Sequence, residues 1–251
     1  MRRFFISQEQ SERAKDGSVI LTGTDVNHIV HVLRMGQGDE LLLSATNGQE
    51  FHCVIDRIEH DKVVCSVCSA SHNHTEPAVS VTLIQGVPKG EKMEFIIQKT
   101  VELGVCEIVP AMMERTVVRF HTPQDGFKKQ TRWQKIAEEA SKQCGRGCIP
   151  SVAEPQTFKQ ALSQISPDAL KLIAYENEAE YSLKNRIEKA MEAGSVTQIA
   201  VLIGPEGGIS PNEFSLAIES GFQSVSLGRR ILRTETAGIA VLSAIRYVFE
   251  D

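Results

Sequence analysis

The chain is expected to be an α/β protein, a C-terminal parallel-sheet domain preceded by a small N-terminal β-barrel domain. From Val79 onward, apolar runs of strand length alternate with amphipathic helical stretches, the pattern of a parallel sheet covered on both faces. Before residue 72, short strand patterns separated by turn signals surround one helix. Between them lies SHNHTEP, Ser71 to Pro77, polar and turn-rich, which marks a connection. The division drawn is residues 1–72, a linker at 73–78, and 79–251.

In the first part, Val19–Leu21, Glu40–Leu43, Glu50–Ile55 and Lys62–Val67 read as strands. Asp25–Arg34 reads as a short helix capped by Thr24 or Asp25. In the second part, strands are expected at Val79–Ile84, Val105–Ala111, Leu170–Tyr175 and Ile199–Ile203. Helices are expected at Met93–Leu103, Lys128–Lys142, Phe158–Ile165 and Ser182–Met191. The run Ile199–Ile203 stops at Gly204-Pro205-Glu206-Gly207-Gly208. Ser210 as N-cap, Pro211 at the first helical position and Glu213 three residues after the serine then announce a helix, which Gly221 ends. A short strand, Val225–Leu227, leads through Gly228 and the loop Arg229–Arg233 to a long helix that starts at Thr234 and is apolar from Ala237 to Phe249.

Composition sets the outer bounds. At 41% hydrophobic and 24% charged residues the chain reads as a soluble globular protein. It has no apolar run near the roughly 20 residues of a membrane span and no apolar core to its N-terminal segment, so a cytoplasmic protein without membrane attachment is expected. Cys65 and Cys68 have CxxC spacing but no second pair, and the six cysteines read as structural or incidental thiols. His72 and His74 lack a third ligand and read as solvated linker residues, so no metal is expected. The net charge of −5 argues weakly against nucleic acid, yet residues 115–146 carry eight Lys or Arg against three Asp or Glu. Residues 224–246 carry four arginines and one acid. Solvated helix faces and an RNA surface both remain open for these segments.

Two glycine-bearing turns at consecutive strand ends make a place where a small molecule can approach bare backbone. The turns are not phosphate cradles, because neither GxxxxGK[ST] nor GxGxxG spacing is present. Glu206 inside the first turn would also oppose a polyanion, and a ligand with a cationic centre fits better. S-adenosylmethionine is one such ligand, although spacing alone does not name it.

IGPEGG followed at this distance by LGRRILRTETA resembles the SPOUT methyltransferases, and more narrowly the bacterial 16S ribosomal RNA uridine-N3 methyltransferase family. The likeness continues in MRRFF, in HIVHVLRMGQGD at His28–Asp39, in KGEKMEFIIQKTVELGV at Lys89–Val105 and in QCGRG at Gln143–Gly147. The resemblance implies a PUA-like RNA-binding barrel, a trefoil-knotted C-terminal domain, S-adenosyl-L-methionine as cofactor, 16S ribosomal RNA or the small-subunit particle as partner, and a homodimer with the cofactor near the subunit interface. Carried onto this sequence, it implies cofactor contacts from Tyr175, Leu202, Ile203, Gly204, Pro205, Glu206, Gly207, Gly208, Leu227, Gly228, Ile231, Leu232, Arg233 and Thr236. RNA contacts are expected from Arg3, Arg34, Lys89, Lys92, Arg115, Arg119, Arg146, Arg229 and Arg230.

Each choice has a plainer counterpart. The glycine turn serves equally as a strand-to-helix connection, Leu227, Ile231 and Leu232 as core, Tyr175 as a packing residue, and each single cation as a solubility residue. Trp133 reads as helix packing. Methylation at N3 of uridine needs no covalent adduct, so no cysteine nucleophile is required. It needs stabilisation of negative charge on the uracil oxygens. Arg233 is expected to supply that charge and Glu206 or Glu235 to accept the proton, Glu235 doubling as a first-turn acid of the last helix. Two other functions stay open: methylation of another RNA or atom on the same fold, and a noncatalytic RNA-binding ribosome-assembly protein.

Overall fold

The computed structural model describes residues 2–250, which divide into two compact units. The first comprises residues up to Glu76 together with Ser141–Ile149. The second comprises Pro77–Ala140 and Pro150 onward. No helix among the described residues is long and apolar enough to cross a membrane.

The first unit is built from β1 (Arg2–Ile6), α1 (Gln8–Ala14), β2 (Ser18–Thr22), α2 (Thr24–Asn27), β3 (Glu40–Ala45), β4 (Gln49–Ile58) and β5 (Lys62–His72). The strands form one sheet in the order β1-β3-β4-β5-β2. It is antiparallel except for the β1–β3 pair. Register shifts in β4 at His52/Cys53 and Ile55/Arg57 are the kind of irregularity that bends a strand. The core of this unit holds Phe4, Leu21, Ile29, Leu41, Leu43, Phe51 and Ile55, all buried. Cys53 and Cys65 lie in this core, and burial pushes both thiols up to about 12, so they are inert packing groups.

Three expectations need correction here. The helix expected at Asp25–Arg34 is α2 followed by a π-helical turn, His28–Val32, and neither Thr24 nor Asp25 caps it, since the capping position is Gly23. The segment from Ser71 is not simple linker. Ser71 and His72 end β5, paired with Glu50 and Gln49. Asn73 donates to Glu50, the Thr75 hydroxyl donates to the Gly145 carbonyl, and Glu76 pairs with Arg146. Arg146 and Arg3 are therefore not free RNA contacts. Arg146 is buried, with its guanidinium on the Glu76 carboxylate at 2.6 Å. Arg3 is held by Ser44, Glu50 and the Arg146 carbonyl. Charge burial of this kind is tolerated only with such partners.

The second unit runs β6 (Ser80–Gly86), α3 (Lys92–Glu102), β7 (Glu107–Met112), α4 (Pro123–Cys144), β8 (Ser151–Val152), β9 (Gln156–Thr157), α5 (Phe158–Ser163), β10 (Leu170–Ala174), α6 (Leu183–Ala193), β11 (Gln198–Ile203), α7 (Pro211–Glu219), β12 (Gln223–Val225) and α8 (Thr234–Phe249). All strand pairs are parallel, in the order β12-β10-β11-β6-β7-β8, with β9 also on β7. The central strands alternate between two cores. Leu83, Ile199, Val201 and Ile203 face one side with Trp133, Val241 and Leu242, whereas Ile84, Ala200 and Leu202 face the other with Phe158 and Ala217. This double burial makes the β11 sequence continuously apolar. The α/β class and the parallel sheet are as expected.

Local signals explain the element ends. Ser210 accepts from the Glu213 N–H while the Glu213 carboxylate accepts from the Ser210 N–H, and Pro211 fills the first turn. α4 starts five residues before the expected Lys128, because Thr122 and Asp125 bond reciprocally at its start and Pro123 fits the first turn.

Candidate functional site

At the C-terminal ends of β10 and β11 the second unit opens into a cavity of about 550 Å³. Its floor is the turn Gly204–Gly208, and its far wall is Ile231–Thr234 at the entry to α8. A smaller hollow of about 120 Å³ adjoins it, lined by Ser226–Leu232, and the two share Ala174, Tyr175, Glu176, Ile231, Leu232 and Ala237. Ligand crevices of parallel sheets lie at such strand ends.

The two turns are held by named bonds. Gly86 ends β6 directly beneath the first turn, and a Cβ there would stand 2.5 Å from Pro205 Cδ, so only glycine allows this approach. Gly208 has φ +73 and its N–H returns to the Pro205 carbonyl at 2.9 Å, closing the turn in a conformation other residues resist. Arg115 donates to the Gly207 carbonyl at 3.0 Å. The second turn is fixed where the Ser226 N–H donates to the Tyr181 carbonyl at 2.8 Å and the Leu183 N–H to the Ser226 carbonyl at 3.2 Å. Tyr175 stacks on Phe214 at 4.1 Å between ring centroids and forms a fixed wall.

A buried chain of bonds ties the turns together. The Gln85 side-chain amide donates to the Thr234 hydroxyl at 2.9 Å, and that hydroxyl donates to the Gly204 carbonyl at 2.7 Å. Around the rim, Lys92 lies 3.1 Å from Glu206 and 3.3 Å from Glu235. The Glu206 carboxylate also accepts from the Lys89 N–H at 3.3 Å. Burial pushes the Glu206 carboxyl up, but its own backbone N–H and Lys92 outweigh this and hold it below the usual carboxylate range. Between the two carboxylates, chiefly Glu206, the Lys92 ammonium is pushed up. Arg233 is exposed at the N-cap of α8 with its side chain unused in capping, and it lines the cavity.

Most residues expected to meet a cofactor converge here. Tyr175, Ile203, Gly204, Pro205, Glu206, Gly207, Gly208, Ile231, Leu232 and Arg233 line the larger cavity, and Leu227 and Gly228 the smaller. Leu202 does not, since its side chain is fully buried in the opposite core. Thr236 faces solvent and lines neither hollow. Of the cations, Lys89 lines the cavity, and Lys92 is committed to two carboxylates and is not a free RNA contact. Arg119 bonds the Thr116 and Val118 carbonyls. Arg229 and Arg230 are exposed and make no ion pair among the described residues. Sequence reasoning missed Glu176, which lines both hollows, and Gln85 and Thr234, which bind the site together. Position alone, two residues beyond the end of β10, signals Glu176. Nothing local signals Gln85.

A family model described as an RNA methyltransferase domain matches residues 75–246, and one described as an RNA methyltransferase PUA domain matches residues 21–68. The ribosomal RNA small subunit methyltransferase E of Bacillus subtilis (strain 168) is 35% identical over 253 residues, covering 100% of this chain and 98% of that protein. The protein of the same name from Synechocystis sp. is 32% identical over 241 residues, covering 96% of this chain and 76% of that one. The crystal structure of a ribosomal RNA small subunit methyltransferase E from Neisseria gonorrhoeae bound to S-adenosyl methionine matches with a TM-score of 0.85 at 32% identity, covering 99% and 98% of the two chains.

Proposed function

Because the chain belongs to the RNA methyltransferase family, we propose that it methylates 16S ribosomal RNA of the small subunit with S-adenosyl-L-methionine, at N3 of a uridine. The observation that carries this reading is the convergence of the Gly204–Gly208 and Ser226–Leu232 turns on one cavity. The residues present fit that cofactor. Apolar Leu227, Ile231 and Leu232 beside free backbone suit a planar base, the Glu176 and Glu206 carboxylates suit cationic groups, and Lys89 and Arg233 suit a carboxylate. Bound there, the cofactor supplies an electrophilic methyl group.

The work left to the protein is orientation and charge. N3 of uridine becomes a nucleophile as its proton leaves, and negative charge then spreads over the neighbouring carbonyl oxygens. Arg233 lines the cavity beside the N-terminus of α8, where a guanidinium and helix N–H groups favour such charge. Glu206 suits the role of base less well. A carboxylate held below its usual range accepts protons weakly. We assign Glu206 and Glu235 chiefly to the Lys92 clasp that joins α3, the glycine turn and α8, and the N3 proton to solvent at the cavity mouth. Arg229, Arg230 and Arg115 are the cations of this unit proposed to face the RNA backbone.

A homodimer is part of this reading. Ile231, Tyr247 and Val248 are exposed at 81%, 88% and 41%, and apolar side chains on the same terminal segment suit a second copy. Calorimetry with S-adenosylhomocysteine tests the assignment. Saturable binding to one site per chain supports it, and no binding would favour a noncatalytic RNA-binding protein.

A further inference from the structure

We propose that Glu176 sets the preference of the cavity for a positively charged methyl donor over the neutral product that remains once the methyl group has gone. The inference rests on the cofactor reading above and deepens it, by assigning the choice between S-adenosyl-L-methionine and S-adenosylhomocysteine to one carboxylate.

Position comes first. Ala174, Tyr175, Glu176, Ile231, Leu232 and Ala237 border both hollows, and of these Glu176 carries a charge at neutral pH. The turn that holds it is fixed. The Tyr175 N–H donates to the Val225 carbonyl and the Glu178 N–H to the Tyr175 carbonyl, each at 3.1 Å, and the Tyr175 ring is stacked on Phe214. Just beyond, the Glu178 carboxylate accepts from the N–H groups of Glu180 at 2.7 Å and Tyr181 at 3.0 Å. Glu176 Oε1 lies 3.6 Å from the point where a Cβ on Gly208 would stand, so its carboxylate faces the glycine turn.

Charge comes next. Glu176 and Glu206 are the carboxylates that line the larger cavity. Glu206 is taken by Lys92 at 3.1 Å and by the Lys89 N–H at 3.3 Å. Glu176 is exposed and makes no hydrogen bond or ion pair among the described residues. The Arg115 guanidinium, on the same side of Gly208, donates instead to the Gly207 carbonyl at 3.0 Å. A free carboxylate held beside a ligand cavity favours a cation there. A two-ended molecule with one end in each hollow passes its middle along the wall they share, and the middle of S-adenosyl-L-methionine is its sulfonium. S-adenosylhomocysteine has the same two ends with a neutral thioether between them. Contacts to the shared ends do not tell the two apart, whereas a charge beside the middle does. The turn itself does not require a carboxylate at this position, because backbone bonds of Tyr175 and Glu178 hold it.

Calorimetry on the full-length protein tests this. Affinities for S-adenosyl-L-methionine, S-adenosylhomocysteine and sinefungin, in which an ammonium-bearing carbon replaces the sulfonium, are measured for wild type, Glu176→Gln and Glu176→Asp. Glu176→Gln is expected to lower the affinity for S-adenosyl-L-methionine relative to S-adenosylhomocysteine about tenfold, the modest end of what one solvated charge contact supplies. Sinefungin is expected to weaken alongside the charged donor. Glu176→Asp is expected to keep most of the preference, since the negative charge remains. The ratio compares two ligands on one protein, so a change in stability does not disturb it. Equal weakening of all three ligands in Glu176→Gln overturns the proposal and places the carboxylate on a group they share, such as a ribose hydroxyl. Unchanged affinities overturn it as well. Wild-type protein that binds none of the three overturns the cofactor reading itself, a result distinct from a variant whose ratio is untouched.

Discussion

The Thr234 hydroxyl donates a 2.7 Å hydrogen bond to the carbonyl of Gly204, thirty residues earlier. The bond joins the first residue of α8 to the first residue of the glycine turn, and Gln85 completes it from β6. Three elements distant in sequence are thereby fixed around one cavity.

Replacing Thr234 by Val keeps the side-chain shape and removes the hydroxyl. The Gly204 carbonyl and the Gln85 amide each lose a buried partner, at a cost of about 1–3 kcal/mol. Urea denaturation is expected to show that loss, and calorimetry a weaker affinity for S-adenosylhomocysteine. An unchanged unfolding midpoint would remove the bond from any structural role.

Gly208→Val tests the turn itself. With φ at +73 the position resists any L side chain, and a Cβ there would stand 3.6 Å from the Glu176 carboxylate inside the cavity. Cofactor affinity is expected to fall tenfold or more, roughly 1.4 kcal/mol, with the circular dichroism spectrum preserved. Unchanged affinity would take the turn out of the site.

The Glu76–Arg146 pair gives a pH dependence. Burial pushes the Glu76 carboxyl up, but hydrogen bonds from Arg146 and Cys148 outweigh it and the carboxyl is held below its usual range. A carboxylate depressed on folding stabilises fully above its unfolded value, and the contribution is lost as pH falls through the folded value. Glu76→Gln removes the carboxylate that the buried Arg146 guanidinium bonds at 2.6 Å. Because Glu76 is 27% exposed, the loss should lie at the lower end of roughly 3–5 kcal/mol at neutral pH. Urea unfolding from pH 7 downward is expected to show wild type and variant converging as the medium turns acidic. A constant gap would mean the pair does not titrate with folding.

Arg229 and Arg230 provide a charge test. Changing both to Gln is expected to lower the salt slope of 16S ribosomal RNA binding by about two, one per lost phosphate contact. S-adenosylhomocysteine affinity should not change. An unaltered slope would make both arginines solvated surface residues.

Assembly is checked by light scattering. A dimer mass at micromolar protein is expected, and Tyr247→Glu should lower it. A monomeric wild type would leave the exposed face of α8 without the proposed partner.

The sequence revealed most where one local pattern decided the structure. The uninterrupted apolar run of β11 and the Ser210-Pro211-Glu213 start of α7 needed no tertiary information. β1 was missed because two arginines precede only Phe4 and Ile6 on its buried face. α1 was missed because it buries only Ser11 and Ala14, though Ser7 and Gln10 form a capping box. The π-helical turn leaves no periodic trace, since one extra residue within five does not shift the apolar pattern visibly. Within the site, the glycines were legible from type and spacing. The fates of Arg146 and Lys92 were not, because a cation's freedom depends on a carboxylate 70 residues away in one case and on the glycine turn and the start of α8 in the other.

The central claim is methyl transfer to N3 of a uridine in small-subunit ribosomal RNA, with charge stabilised by Arg233. The most direct measurement is mass mapping of nucleosides in 16S ribosomal RNA from a strain lacking this gene, after single-turnover reaction with purified protein. Wild type is expected to restore 3-methyluridine at one position, and Arg233→Ala to do so about 10²–10³-fold more slowly, the usual cost of removing one charge-stabilising donor. A methyl group appearing on another atom, or an Arg233→Ala rate equal to wild type at saturating cofactor, would contradict the account.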